Sequence, residues 1–101
     1  MKISRVQYTI QADFVEQNKK NIAAVMSELR TINHTGFKYA CYVLDDGKTF
    51  MHLVHHSSPE SDYLPGSLDS FKHFQSQLSA HFEVPPKAES LELVQASFDL
   101  F

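Results

Sequence analysis

The stretch that decides the fold runs from Phe37 to His56 and reads Phe-Lys-Tyr-Ala-Cys-Tyr-Val-Leu, Asp-Asp-Gly-Lys, Thr-Phe-Met-His-Leu-Val-His-His. Two segments rich in aromatic and β-branched residues, 37–44 and 49–56, flank the turn-forming segment 45–48. Asp-Gly between two such segments is a strong signal for a β-hairpin. The sequence therefore predicts two antiparallel strands in the middle of the chain.

The turn also predicts which side chains share a face of the hairpin. A two-residue turn at Asp46-Gly47 pairs Asp45 with Lys48, a four-residue turn gives the same register, and a three-residue turn would break it. In the predicted register, one face carries Phe37, Tyr39, Cys41, Val43, Phe50, His52, Val54 and His56. The other face carries Lys38, Ala40, Tyr42, Leu44, Thr49, Met51, Leu53 and His55.

The segment before the hairpin predicts a strand followed by a helix. Residues 2–11 alternate between apolar and polar side chains, which is typical of a strand. Asp13 and Glu16 have the spacing of a capping box and predict a helix over 14–32. The apolar residues at helical spacing within it are Ile22, Val25, Met26 and Leu29. Gly36 is the expected left-handed residue after this helix.

The segment after the hairpin predicts a loop, a second helix and a last strand. Residues 57–67 are predicted to form the loop, because Ser, Pro, Asp and Gly cluster there. The second helix is predicted over 67–82, from the apolar stripe Leu68, Phe71, Phe74 and Leu78. Pro85-Pro86 excludes a helix, and 88–98 is the predicted fourth strand. The order βαββαβ is typical of a ferredoxin-like α+β fold, an antiparallel sheet with two helices on one face.

Composition limits the class of protein. The 101 residues have the size of one domain, so 1–101 is predicted to be a single domain. A net charge of −3 argues against nucleic-acid and membrane-surface partners, and no apolar run approaches the roughly 20 residues of a membrane span. The lone Cys41 excludes a disulfide framework and multi-cysteine zinc motifs. Because no secretory signal opens the chain, the cytoplasm is the expected location.

The hairpin is apolar on both faces, although two helices can cover only one. A second copy of the chain is the expected cover, which predicts a homodimer. The face with Tyr39 and His52 mixes polar groups with apolar walls, as ligand sites do, and is assigned to the side away from the helices. His52 and Tyr39 are the predicted catalytic residues. The predicted substrate-binding residues are Arg5, Gln7, Cys41, Phe50, Val54 and His56.

The predicted chemistry is proton transfer from a small aromatic or enol-containing molecule. Tyr39 could hydrogen-bond a substrate hydroxyl, and His52 could act as a base near neutral pH. Two other interpretations are a metal site with Cys41 and His52 as its first two ligands, and a Cys41 nucleophile activated by His52. No metal is predicted, because His52 and His56 lie roughly 13 Å apart along a strand. An RNA-recognition domain has the same element order but would need stacked aromatics beside basic residues.

Several segments together resemble a known family. They are the opening Val6-Gln7-Tyr8-Thr9-Ile10, the capped helix, the hairpin around Asp45-Asp46-Gly47, the strand 50–54 and the late helix 67–74. This arrangement resembles the antibiotic-biosynthesis-monooxygenase-like proteins of the dimeric α+β barrel superfamily. The resemblance extends over nearly the whole chain through element order, with no short diagnostic motif.

The resemblance implies a homodimer whose two sheets close into a barrel, with a cavity in the barrel or between sheet and helices. Characterised members oxidise small aromatic or polyketide substrates with O₂ and no added cofactor. The haem-degrading branch uses an Asn on its first strand, a Trp and a helical His, whereas here the first strand has no Asn, Trp is absent and no His opens the second helix. The expectation is therefore a cofactor-independent monooxygenase-like protein. The alternative is a non-catalytic ligand-binding or interaction module of the same fold.

Overall fold

The computed structural model describes residues 1–101. The strands are β1 (Lys2–Ile10), β2 (Phe37–Val43), β3 (Thr49–His56) and β4 (Phe82–Leu91), and the α-helices are α1 (Val15–Ile32), α2 (Leu64–Ser67) and α3 (Asp69–Leu78). The strands form one antiparallel sheet in the order β2-β3-β1-β4. Helices α1 and α3 pack against each other over this sheet. The predicted ferredoxin-like α+β fold is confirmed.

The hairpin has the predicted register, because Cys41 pairs with His52 across β2 and β3. Its turn is a four-residue turn closed by the Leu44 N–H, which donates to the Thr49 carbonyl at 2.8 Å. Gly47 has a positive φ of 75°, a conformation in which glycine avoids the cost of a side chain. The Asp46 carboxylate accepts hydrogen bonds from the backbone N–H groups of Lys48 and Thr49.

The face that carries Tyr39, Cys41, His52 and His56 packs under the helices, so its predicted assignment to the opposite side is wrong. In the β1–β3 register, Val6 lies opposite His52 and Tyr8 opposite Phe50. The apolar half of β1 therefore shares the face of His52, and both cover the same core. This core consists of Tyr8, Ile10, Phe14, Val25, Phe50, Leu68, Phe74 and Leu78.

The ends of the first helix differ from their predicted form. Asp13 lies inside a short 3₁₀ helix over Ala12–Phe14, and α1 begins without a side-chain cap. At the other end Asn33, not Gly36, is left-handed, with a φ of 51°. Gly36 meets a different need, since a Cβ there would lie 2.5 Å from the Ser57 Oγ.

The second half of the chain also differs from its predicted boundaries. The predicted loop contains a 3₁₀ helix over Pro59–Ser61 and the one-turn helix α2. Helix α3 ends at Leu78, and Phe82 opens β4, which continues through Pro85-Pro86. Prolines fit there because β4 is an edge strand and its pairing with β1 is irregular between Gln7 and Thr9.

The sheet face opposite the helices is open over β2 and β3. It carries Ala40, Tyr42, Met51 and Leu53, and Tyr42 is 52% exposed. The segment after β4 reaches one corner of this face, where the Phe101 ring lies 5.4 Å from the Lys38 Nζ. None of the helices has both the length and the apolar character needed to cross a membrane.

Candidate functional site

A cavity of about 210 Å³ lies between the sheet and the helices. Its walls combine the inner face of the sheet with one side of α3 and the start of α2. The residues that line it include Val6, Tyr8, Tyr39, His52, Val54, Phe71, Phe74 and Leu78. A cavity of about 150 Å³ can hold benzene, so this space has the size for a single-ring molecule.

His52 is the polar centre of this cavity, and it is only 3% exposed. Its Nδ1 lies 2.5 Å from the Tyr39 hydroxyl, and its Nε2 lies 2.8 Å from the Tyr8 hydroxyl. The Cys41 Sγ lies 3.5 Å from Nε2. Both ring nitrogens therefore have tyrosine partners, one supplied by β1 and the other by β2.

A neutral imidazole has one donor and one acceptor nitrogen, so the two tyrosines must have opposite roles. In one of the two arrangements this allows, the Asn18 Nδ2 donates to the Tyr8 oxygen at 3.1 Å and the Tyr8 hydroxyl donates to Nε2 of His52. The ring proton then lies on Nδ1 and is donated to the Tyr39 oxygen. In this arrangement the Tyr39 hydroxyl hydrogen is free for a bound molecule.

Burial shifts the ionisation of every titratable group in the cluster toward the neutral form. It lowers the pKa of His52 from 6.5 to about 4. It raises the pKa values of Tyr8 and Tyr39 well above 10, and that of Cys41 from 9.0 to about 12. The site is thus uncharged at neutral pH, which does not favour a Cys41 thiolate nucleophile.

The structure brings together four of the predicted site residues. Tyr39 and His52 share the cavity, Val54 contributes to its wall, and Cys41 contacts His52 from the neighbouring strand. Phe50 has a supporting role, because it is buried beneath the cluster with its ring stacked 5.8 Å from that of Tyr8.

Three other predicted substrate-binding residues lie elsewhere. Arg5 and Gln7 face the open side of the sheet, because Val6 between them points to His52, and they hydrogen-bond each other. His56 lies at the far end of β3, where its Nδ1 is 2.8 Å from the Ser61 Oγ and its Nε2 3.5 Å from Asp62. These contacts hold the segment after β3 in place.

Sequence reasoning missed two members of the cluster, Tyr8 and Asn18. The signal for Tyr8 was its place in the alternation of Val6 and Ile10, once that face is assigned to the core. The signal for Asn18 was its spacing of four residues from Ile22 and seven from Val25, which extends the buried stripe of α1. Asn18 is fully buried, and its Oδ1 has no hydrogen-bond partner.

The structure contains no group of three or more His, Cys, Asp and Glu side chains that could hold a metal ion. Cys41 and His52 are adjacent, as predicted, but the further groups around them are the hydroxyls of Tyr8 and Tyr39.

The sheet and the two main helices define a class: small α+β proteins with a ferredoxin-like sheet. No protein family model and no curated protein matches the sequence. Solved structures match over nearly the whole chain. A protein described as an antibiotic biosynthesis monooxygenase has a TM-score of 0.76 and 11% identity, with 94% of this chain and 100% of that chain covered.

Two further structures extend this likeness. A protein of Bacteriodes thetaiotaomicron, provisionally described in the same words, has a TM-score of 0.83 and 6% identity over 99% of this chain and 95% of its own. SnoaB of Streptomyces nogalater, described as a cofactor-independent oxygenase, has a TM-score of 0.69 and 10% identity over 97% and 98%. The predicted resemblance is confirmed as a likeness of fold.

Proposed function

We propose that this chain is a cofactor-independent monooxygenase-like protein that acts on a small aromatic or enol-containing molecule. The observation that carries the proposal is the pair His52 and Tyr39, joined by a 2.5 Å hydrogen bond in the wall of a ring-sized cavity. The described activity of structures with the same fold supports it.

The cavity matches a flat molecule with one hydroxyl group. Phe71, Phe74, Leu78 and Val54 offer apolar walls, and the free Tyr39 hydroxyl hydrogen offers one polar contact. A phenol or enol must lose a proton before it can pass an electron to O₂. With the ring proton on Nδ1, the nitrogen that can accept a second proton is Nε2. The Tyr8 hydroxyl lines the cavity and bonds Nε2, so the proton would reach the imidazole through Tyr8, while Tyr39 donates its hydrogen to the ligand oxygen.

Because the pKa of His52 is low, its imidazole is neutral at neutral pH when the cavity is empty, and only one ring nitrogen carries a proton. A bound enolate would change this, because an opposite charge close by favours the imidazolium form. The proton transfer is therefore coupled to binding of a molecule that can carry the negative charge. Ligands without an acidic hydroxyl would leave His52 neutral.

A second candidate function is a non-catalytic binding module of the same fold. It is favoured by the full engagement of His52, since both ring nitrogens already have tyrosine partners. In this case the cluster serves to orient Tyr39 as a hydrogen-bond donor to the ligand. Turnover, not binding, separates the two functions.

The test combines ligand titration with oxygen consumption. We expect single-ring phenols or cyclic 1,3-diketones to shift the imidazole resonances of His52 in NMR spectra and to stimulate O₂ uptake. Tyr39→Phe should lower the uptake by about 100-fold or more, the range for loss of one hydrogen-bond donor to a developing oxyanion. Tyr63→Phe is the matched control, because Tyr63 is 62% exposed and lies outside the cavity.

Each outcome decides between the two functions. Binding without O₂ uptake would establish the binding module and overturn the enzyme. Equal activity of Tyr39→Phe and Tyr63→Phe would remove Tyr39 from the reaction. If no phenol or diketone shifts His52, the cavity is not a ligand site.

We also propose that residues 1–101 form one domain that pairs with a second copy through the open sheet face. The predicted reason for a dimer was an uncovered face with Phe37, Tyr39, Val43, Phe50 and Val54. The helices cover that face except near Val43, which is 42% exposed. The opposite face supplies a better reason, since Ala40, Tyr42, Met51 and Leu53 have no helix above them. A stable pair would bury about 2,000 Å² or more in total.

Sedimentation velocity at micromolar concentration should give twice the 11.5 kDa mass of one chain. Leu53→Asp should shift the protein toward the monomer, because a carboxylate would be buried at the centre of the pair. Ala23→Asp, on the exposed side of α1, should leave the mass unchanged. A wild-type protein that sediments as a monomer would contradict the proposed dimer.

A further inference from the structure

A second, larger cavity of about 460 Å³ lies beside the first one. It is bounded by the second half of α1, the edge strand β2 and the first residue of α2. Eight of its eleven lining residues are hydrophobic, among them Ile22, Met26, Leu29 and Phe37. This volume and this composition are typical of sites for small organic ligands.

The polar groups of this cavity are all neutral or cationic. Arg30, Asn33 and His34 line it, and no Asp or Glu does. Arg30 forms no ion pair within the chain, so its guanidinium donors are free. His34 accepts the Gly36 N–H through Nδ1 at 3.0 Å, which leaves Nε2 as a second donor. An apolar cavity with unpaired donors and one cation complements an apolar anion.

Two residues connect this cavity with the proposed reaction site. Tyr39 lines both cavities, and Cys41 lines the larger one while its Sγ lies 3.5 Å from Nε2 of His52. The two spaces therefore meet at Tyr39, whose hydroxyl bonds His52. A molecule in the larger cavity would contact the same tyrosine that the reaction site uses.

We propose that the larger cavity binds the apolar carboxylate portion of a ligand, with Arg30 as the group that selects the negative charge. The inference deepens the proposed function, because it assigns the substrate class to aromatic or enol molecules that also bear a carboxylate. A planar guanidinium can bind a carboxylate through two parallel hydrogen bonds, which gives orientation as well as affinity.

The position of Arg30 in the last turn of α1 also favours the helix, since a cation complements the negative end of the helix dipole. That effect requires only the charge and leaves the guanidinium donors free. A variant that keeps the charge but changes the donor geometry separates the two roles. Arg30→Lys retains the helix contribution and loses the two-pronged contact.

The experiment compares two isosteric probes, 4-phenylbutyrate and 4-phenylbutyramide, by calorimetric titration of the full chain. Neither probe carries a phenol or enol, so the result does not depend on oxidation. We expect the carboxylate to bind at least tenfold more tightly than the amide, and this preference to weaken with added salt. Arg30→Gln should weaken carboxylate binding by about 10- to 100-fold, the range for a lost charge-assisted hydrogen bond.

Three variants serve as controls. Lys20→Gln removes an exposed cation of α1 outside the cavity and should bind both probes as the wild type does. Met26→Phe should weaken both probes by reducing the space. Arg30→Lys should fall between the wild type and Arg30→Gln.

Equal affinity for the two probes, or an Arg30→Gln variant that binds the carboxylate normally, would overturn the inference. Carboxylate binding without oxidation of any phenol would retain the anion site and remove only the proposed reaction. Oxidation of neutral phenols with no preference for the carboxylate would retain the proposed reaction and overturn the anion site.

Discussion

Phe74→Ala should lower the free energy of unfolding by about 3–5 kcal/mol. Phe74 is 5% exposed and packs between the two layers of the molecule, with its ring 5.6 Å from His52 and 5.7 Å from Phe71. Removing the ring loses its transfer free energy and enlarges a space that is already a cavity. Urea unfolding followed by circular dichroism measures the loss.

Phe71→Ala is the matched control, because Phe71 lies on the same helix and is only partly buried. Its expected loss is smaller than that of Phe74→Ala. Equal losses for the two variants, or a loss below about 1 kcal/mol for Phe74→Ala, would show that α3 does not hold the layers together as described. The comparison tests the orientation of α3, since a rotation of this helix would exchange the two side chains.

The order of elements could be predicted because local signals determine it. Asp46-Gly47 marks the hairpin turn, and the four-residue turn preserves the register that pairs Cys41 with His52. The stripes of α1 and α3 are long enough for helical spacing to be recognised, and Val25, Phe74 and Leu78 are buried as predicted. Local chemistry was sufficient for these features.

Local signals could not predict which face of the sheet lies under the helices. It depends on which strands pair with β1 and in what register, and these pairings are remote in sequence. The polar Tyr39 and His52 suggested an open surface, whereas the hydroxyl of Tyr8 satisfies the buried imidazole from another strand. A histidine with a partner supplied by a distant residue has no local sequence signal.

The bounds of β4 show a second limit of sequence reasoning. Pro85-Pro86 was interpreted as excluding a helix, and the fourth strand was predicted only after it, over 88–98. The strand instead runs through the prolines, because the outer edge of a sheet needs no N–H groups on its free side. Whether a strand lies at an edge is a property of the whole sheet. The prolines therefore became consistent with a strand only after the strand order was known.

Some residues belong both to the candidate site and to the hydrophobic core. Tyr8 belongs to the core cluster and also bonds His52, and Phe74 contacts the imidazole while joining the layers. The packing of α3 on the sheet therefore stabilises the fold and also excludes water from His52. A ligand that enters the cavity would therefore contact core residues directly.

The stability of the protein should fall as the pH decreases from 7 to 5, with about 2 kcal/mol of the loss due to His52. Burial lowers the folded-state pKa of His52 to about 4, against 6.5 when the group is free. Between these values the unfolded chain binds a proton that the folded chain excludes, so unfolding becomes more favourable as acid is added. Above pH 6.5 the group is neutral in both states and has little effect.

Urea unfolding at several pH values, with the wild type and His52→Gln compared, isolates this contribution. His52→Gln should be less stable at pH 7 but should lose about 2 kcal/mol less than the wild type on going to pH 5. His56, whose pKa burial also lowers, is present in both proteins and cancels in the comparison. His73→Gln, on the exposed side of α3, should retain the full pH dependence of the wild type. If His52→Gln and the wild type have parallel pH profiles, the imidazole is not held neutral between Tyr8 and Tyr39, and the cavity would lose its proposed proton acceptor.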